Sequence, residues 1–267
     1  MLRNLNIYID QHSMGCGSST SDPIADKYKS IKEVQMAIRK AGLESSNIIF
    51  GIDYTKSNLY NGERTFQNRS LHDMTVKNPY VEVIEILGET MEDFDDDHII
   101  PTYGFGDSYT SDKACFPFFP DRHPHGFREV LDRYRQITSG INLAGPTNFA
   151  PLIRKAIDIV KEARAYHILI IVTDGEVTSE QDTIGAIVQA SSYPISIICI
   201  GVGDGPWDTM KKFDDKIPQR KFDNFQFVEF NKLRKKYSEN FAPNFAMNCL
   251  MEVPQQYKLI KKLGLLG

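Results

Sequence analysis

Short, continuously apolar segments alternate with amphipathic helical patterns along most of this chain. The clearest apolar segments are strand-sized, cover residues 47–53, 167–173 and 195–202, and end in polar or small residues. Between them, apolar residues recur at helical spacing, most regularly over 80–94 and 149–160. Strands that are apolar on both faces and are joined by helices are typical of parallel sheets covered on both sides. The sequence therefore predicts an α/β domain with a mostly parallel central sheet and helices on both faces.

Weaker patterns predict the remaining elements. Apolar spacing indicates helices over 31–38 and 127–134, and an apolar run indicates a strand over 99–105. Residues 225–230 alternate between apolar and polar side chains, which predicts a strand nearer an edge of the sheet. A final helix is predicted over about 232–250.

Composition excludes several classes of protein. The 267 residues include 41% hydrophobic and 25% charged side chains, which is ordinary for a globular chain, and no apolar run reaches the ~18 residues of a membrane span. The formal net charge of -4 gives no electrostatic reason to expect nucleic-acid binding. The four cysteines are far apart and form no CxxC pair, which argues against a zinc ribbon, a RING finger or a disulfide scaffold. We therefore expect a cytoplasmic protein with reduced thiols.

Three loops carry oxygen-bearing side chains at the predicted sheet edge. Asp53, Thr55 and Ser57 follow the first strong strand, Thr147 precedes the most regular helix, and Asp174 follows the second apolar strand. Parallel sheets bind ligands at the carboxyl ends of their strands. Hard oxygen donors without Cys or His suit Mg²⁺ or Mn²⁺, and Ca²⁺ less well. We therefore predict a cation site completed by water, with one exchangeable position that a partner's carboxylate can take.

Each loop also has a purely structural interpretation. The D-x-T-x-S spacing at 53–57 occurs often by chance. Thr147 or Asn148 can cap the helix that follows. The segment 173–175 can be an ordinary turn after a strand. Only the common placement of the three loops at one sheet edge favours metal binding over these alternatives.

Particular segments resemble those of a known family. IDYTKSN at 52–58, AGPTNFAP at 144–151 and VTDG at 172–175 resemble the three segments of a metal-ion-dependent adhesion site in a von Willebrand factor A domain. More narrowly, residues 27–267 resemble the A domain of copines and the copine-like domain of plant RING-type ubiquitin ligases. The similarity also rests on segments 40–47, 103–107, 201–208, 222–228 and 253–257.

The resemblance implies a fold, a cofactor and a kind of partner. It implies a Rossmann-like A domain that holds a divalent cation and, through it, a protein partner that offers a carboxylate. By position, Thr55, Ser57 and Thr147 would ligate the metal directly or nearly so. Asp53 and Asp174 would act directly or through water. This implies a binding module rather than an enzyme.

The chain also departs from both groups of relatives. Copines carry two calcium- and phospholipid-binding modules before the A domain, and 26 residues are too few to hold them. The plant ligases carry a RING finger after it, whereas this sequence ends at Gly267 without the RING's Cys and His ligands. Neither calcium-triggered membrane docking nor ubiquitin transfer can therefore be carried over from these relatives.

Residues 1–26 are predicted to be a flexible tail with a candidate lipidation motif. MGCGSS at 14–19 fits the pattern M-G-x-x-x-[ST] for N-myristoylation. If translation starts at Met14, Gly15 would carry a myristoyl chain and Cys16 a palmitoyl chain, which together anchor a protein at the plasma membrane. The alternative is a Gly/Ser linker. Mass spectrometry of the natural N-terminus decides between them, and an intact Met1 as the only form refutes lipidation.

Two other functions remain open from the sequence. A metal-dependent phosphatase would use Asp53 as its nucleophile with Asp204 or Asp208, but that motif needs a second Asp where Thr55 stands. We interpret the glycine-rich segment 203–208 as a turn into a helix. No His accompanies these loops, so no nucleophile-base pair is evident. The second alternative is an interaction scaffold with a vestigial metal site.

Overall fold

The computed structural model describes residues 28–175, 177–217 and 219–266. In these ranges, strands form one sheet in the order β3-β2-β1-β4-β5-β6. Only the β2–β3 pair is antiparallel, which confirms the mostly parallel sheet. The predicted tail, with Gly15 and Cys16, lies outside the described residues. The strands are β1 (Asn47–Asp53), β2 (Thr102–Phe105), β3 (Cys115–Pro117), β4 (His167–Thr173), β5 (Ile195–Gly201) and β6 (Phe225–Glu229).

The register of the sheet places two predicted site loops beside each other. β1 pairs with β4 from Asn47 opposite His167 to Ile52 opposite Val172. Because the strands are parallel and in step, the chain leaves both at the same edge. The residues that follow β1 and β4 are therefore neighbours.

Helices cover both faces of this sheet. One buried cluster joins Ile48, Phe50 and Ile52 to α1, α2, α3, α8 and α9, and a second joins Ile49 to α4, α5 and α6. Successive β1 side chains thus enter opposite cores, as expected for a strand buried on both faces. The helices are α1 (Ile31–Ala41), α2 (Pro79–Met91), α3 (Gly126–Thr138), α4 (Ala150–Ala163), α5 (Glu180–Ala190), α6 (Asp208–Asp215), α7 (Phe230–Lys236), α8 (Phe241–Leu250) and α9 (Val253–Lys262).

Two predicted boundaries were wrong for identifiable reasons. The helix expected over 232–250 is two helices, α7 and α8, separated after Lys236. Pro243 lies in the first turn of α8, where its missing N–H is tolerated, whereas in the middle of one long helix it would break a hydrogen bond. The strand expected from residue 99 begins at Thr102, and Ile99 instead bridges to His125.

Other predictions agree with the structure. β6 lies at one end of the sheet as described, as its alternating pattern predicted. Residues 203–207 lead into α6, as expected for a turn. Cys115, Cys199 and Cys249 are free thiols. Within the described ranges, no helix has the length and apolar character needed to cross a bilayer.

Candidate metal site at the ends of the central strands

Three predicted ligands form a hydrogen-bonded group where β1 and β4 end. Thr55 Oγ1 lies 3.0 Å from Ser57 Oγ, and Ser57 Oγ donates to Asp174 Oδ1 at 3.0 Å. Thr55 Oγ1 lies 3.5 Å from the same carboxylate oxygen. The two hydroxyls and the Asp174 carboxylate therefore face one another across the gap between the two loops.

Asp53, the last residue of β1, holds the backbone of this group in place through hydrogen bonds. Its side chain is fully buried. Oδ1 accepts a hydrogen bond from the backbone N–H of Thr55 at 2.8 Å, and Oδ2 accepts one from the Thr173 hydroxyl at 2.5 Å. Burial raises the pKa of the Asp53 carboxyl, although these hydrogen bonds oppose that effect. Asp53 thus fixes the start of its loop to the end of β4.

The second oxygen of Asp174 has no hydrogen-bond partner among the described residues. Asp174 is 1% exposed, and its Oδ2 atom is buried. Burial and the nearby charge of Asp53 raise the pKa of the Asp174 carboxyl well above its ordinary value. An unpaired buried carboxylate is costly unless a proton or a cation neutralises it. A carboxylate beside two hydroxyls has the donor chemistry that a hard divalent cation prefers, so the residues fit such an ion.

Thr147 lies in a neighbouring loop rather than in the hydrogen-bonded group described above. It is buried, and its carbonyl accepts hydrogen bonds from the N–H and the hydroxyl of Thr178 at 3.0 and 2.9 Å. The loop is joined to the first one because Lys56 N–H donates to the Ala144 carbonyl at 2.7 Å. Phe149 occupies the N-cap of α4, and the preceding residue, Asn148, accepts through Oδ1 from the N–H of Ala150 at 2.9 Å.

A buried histidine that no sequence pattern indicated supports the loop that carries Asp53, Thr55 and Ser57. His72 Nε2 donates to the Asp53 carbonyl at 2.8 Å, and His72 Nδ1 accepts from the Tyr134 hydroxyl at 2.7 Å. The imidazole is stacked between Tyr54 and Tyr80, with ring centroids 4.8 and 4.2 Å away. Burial lowers the pKa of His72 to about 4, so the ring is neutral. The expectation that no His accompanies these loops was therefore wrong.

Asn58 connects the same loop to helix α2. Its Nδ2 donates to the carbonyls of Asp53 and Thr55 at 3.3 and 3.0 Å. Its Oδ1 accepts from the Tyr80 hydroxyl at 2.7 Å. The buried side chains of Asn58 and His72 thus hold the backbone of the loop that carries the predicted ligands.

The loop after β5 also fixes the segment that follows β1. The Asp204 carboxylate accepts hydrogen bonds from the N–H groups of Arg64 and Thr65 at 2.8 and 3.0 Å. Asn61, in the same stretch, donates through Nδ2 to the Asp174 carbonyl at 3.0 Å. Asp204 is therefore an anchor between two loops.

Among the described residues, the site is neither an all-carboxylate centre nor a histidine-rich one. No group of three or more His, Cys, Asp or Glu side chains in the part of the chain that is described has an arrangement able to hold a metal ion. A site at Asp174 would accordingly rely on hydroxyl and water oxygens as well as carboxylates.

Solved structures share the fold of this chain at low sequence identity. A D319A mutant of the PilB minor pilin from Streptococcus sanguinis has a TM-score of 0.52 at 12% identity and covers 82% of this chain and 62% of that chain. A von Willebrand factor type A structure from Catenulispora acidiphila has a TM-score of 0.47 at 17% identity and covers 77% of this chain and 43% of that chain. The PilB structure, with a TM-score above 0.5, shares the fold of this chain.

Curated relatives are much closer in sequence. The E3 ubiquitin-protein ligase RGLG5 of Arabidopsis thaliana is 52% identical in an alignment 264 residues long, which covers 91% of this chain and 60% of the relative. Copine family protein 2 of Caenorhabditis elegans is 53% identical in an alignment 245 residues long, which covers 90% of this chain and 3% of the relative. This chain thus corresponds to only part of each of these longer proteins.

The family model named Copine matches residues 70–267. That match includes the strands and loops that contribute Thr147 and Asp174, while the relatives above also align with most of the remainder. The predicted resemblance is confirmed, and the chain belongs to the copine family.

Proposed function

We propose that this chain is a non-catalytic binding module that holds Mg²⁺ or Mn²⁺ at the sheet edge and captures a carboxylate of a partner protein. The observation that carries the proposal is the buried Oδ2 of Asp174, which has no partner among the described residues and lies in a carboxylate that faces the hydroxyls of Thr55 and Ser57. Family membership adds support, since the predicted ligands lie in the segments that resemble the adhesion site.

The ligands would have two kinds of role. Thr55, Ser57 and Thr147 would hold the ion directly or nearly so, while Asp53 and Asp174 would act directly or through water. A bound cation supplies a positive charge that attracts a carboxylate. The chain's own residues keep the ligands in place: Asp53 bonds to Thr55 N–H, and the buried side chains beneath fix the loop.

The contacts favour binding over hydrolysis. Asp53 is fully buried, and both of its carboxylate oxygens already accept hydrogen bonds. His72 uses both ring nitrogens in buried hydrogen bonds, so it is not placed to activate a nucleophile. A copine domain acting as a binding module is consistent with both facts.

Calorimetric titration with Mg²⁺ and Mn²⁺ tests the proposal. We expect wild type and Asp208→Ala to bind the ion alike, because Asp208 lies at the start of α6 and is exposed. Asp53→Ala should bind at least about tenfold more weakly, a loss of about 1.4 kcal/mol. Circular dichroism in EDTA checks that each variant is folded. Equal affinity in wild type and Asp53→Ala, or no binding in either, would refute the site and would favour the vestigial scaffold.

Gly106→Ala is expected to weaken metal binding although it removes none of the oxygen atoms of the predicted ligands. A Cβ at Gly106 would lie 2.4 Å from Thr55 Cγ2, and its φ of +80° already disfavours other residues. Thr55 must shift, so we expect about a tenfold loss of Mg²⁺ affinity. Gly126→Ala is the matched control, since its φ is +74° but nothing lies within 4 Å of the new Cβ. Similar Mg²⁺ affinities in the two variants would show that Thr55 placement does not matter.

A further inference from the structure

A groove runs beside β6, at the opposite side of the sheet from β3. Its volume is about 370 Å³, and it lies between β6 and side chains of α6, α7 and α8. Val228, Leu233 and Met251 contribute apolar surface, and Met251 is 60% exposed. The groove contains none of the predicted metal ligands.

Lysines outnumber carboxylates in the lining of this groove, which gives it an excess of positive charge. Lys232 and Lys236 both line it, are exposed, and lie four residues apart on one face of α7. Among the described residues, no carboxylate forms an ion pair with either. The acidic residues of the groove are already engaged: Glu229 lies 3.1 Å from the Lys211 ammonium, and Asp214 accepts a hydrogen bond from the N–H of Phe227.

A buried amide in the groove offers an unused hydrogen-bond acceptor. Gln226 is 6% exposed, and its Nε2 donates to the Asn248 carbonyl at 2.8 Å. That bond fixes which end of the amide is the oxygen, because a carbonyl accepts only from N–H. Gln226 Oε1 has no partner in the described part of the chain. An occupant that donates an N–H would satisfy it.

The shape and chemistry of the groove favour a peptide over a lipid surface. A concave site with a buried amide acceptor matches a chain that carries N–H groups, whereas a membrane presents a flat array of head groups. Strand addition along β6 is hindered, because the outward N–H of Phe227 is bonded to Asp214. The occupant would therefore be held mainly through side chains.

We propose that this groove binds an extended acidic segment of a partner protein, independently of the metal site. Carboxylates of the segment pair with Lys232 and Lys236, a backbone N–H donates to Gln226 Oε1, and an apolar side chain packs against Leu233 and Met251. The chain would thus have two separate sites for acidic partners, only one of which needs a cation.

The probe is a short fluorescein-labelled peptide of alternating Glu and Leu. Its binding to the full chain in EDTA is measured by fluorescence anisotropy. We expect saturable binding that weakens at least about tenfold in Lys232→Glu/Lys236→Glu and that falls with added salt. Gln226→Leu, which removes only the acceptor, should also weaken it. Lys235→Glu/Lys262→Glu makes the same change in net charge on residues that do not line the groove, and it should bind like wild type.

Three outcomes would overturn the proposal. Equal losses in both charge-reversed pairs would show non-specific attraction. Binding to phosphatidylserine-rich vesicles through Lys232 and Lys236, without peptide binding, would identify a membrane surface. Self-association that the groove pair alone abolishes would identify a second copy as the occupant. Because the assay contains EDTA, failure here leaves the metal site standing, and failure of the Mg²⁺ titration leaves the groove standing.

Discussion

Asp174→Asn is expected to raise the thermal stability of the metal-free protein at about pH 8 and to abolish its stabilisation by Mg²⁺. The substitution keeps the shape of the side chain and an acceptor for the Ser57 hydroxyl. It removes a carboxylate that is 1% exposed and has an oxygen without a partner among the described residues. Removal of this buried charge is expected to stabilise the metal-free fold. Saturation with Mg²⁺ at one hundred times its Kd would add about 2.7 kcal/mol to wild type only.

The pH dependence of this difference has a definite sign. Burial raises the pKa of the Asp174 carboxyl, so the folded protein holds this proton more tightly than the unfolded chain does. Ionisation therefore costs wild-type stability progressively as pH rises above the ordinary carboxyl range. We expect the gain from Asp174→Asn in EDTA to be small near pH 4 and larger near pH 8. Asp208→Asn, on an exposed carboxyl, should show no such gain. A variant less stable than wild type at pH 8, or one still stabilised by Mg²⁺, would contradict the account.

His72→Ala is expected to lower both stability and metal affinity, although His72 is not a predicted ligand. The variant loses the hydrogen bonds to the Asp53 carbonyl and the Tyr134 hydroxyl and leaves a cavity between Tyr54 and Tyr80. Removal of a large buried ring costs about 3–5 kcal/mol. Chemical denaturation in EDTA measures the stability change, and titration of the folded variant measures the Mg²⁺ affinity.

Tyr134→Phe is the matched control for His72. It removes only the hydroxyl that donates to His72 Nδ1, so it should cost about 1–3 kcal/mol and leave the bond to Asp53 intact.

Because burial lowers the pKa of His72 to about 4, wild type should lose stability as the pH falls from about 6.5 towards 4, and His72→Ala should lack this contribution. Equal Mg²⁺ affinity in His72→Ala and wild type would show that the ring does not position the loop of predicted ligands.

Much of the central sheet was predictable because its strands carry their own signal. β1 and β4 match the predicted residues, since each is an apolar run buried on both faces. Their parallel register then brings Asp174 against Thr55 and Ser57, so the predicted placement of these loops at one edge is observed. No comparable apolar pattern predicts β3 or α5. β3 has only three residues and is partly exposed.

The support beneath the site could not be predicted in the same way. His72 lies 19 residues from Asp53 in an irregular segment, where no periodicity shows which side chain turns inward. The link from Asn61 to Asp174 likewise joins residues 113 positions apart. Such contacts depend on the tertiary arrangement of loops. Thr147 and Asn148 are both predicted as possible caps of α4, whereas the helix has Phe149 at its N-cap.

The most direct test of the central claim is the anomalous diffraction of Mn²⁺ in crystals of the full chain. The account predicts one strong peak in contact with the Ser57 and Thr55 hydroxyls and beside the Asp174 carboxylate, lost when Asp174 is replaced by Asn. Saturating Mn²⁺ with no peak between these side chains, or a peak that persists there in the Asp174→Asn crystals, would contradict it.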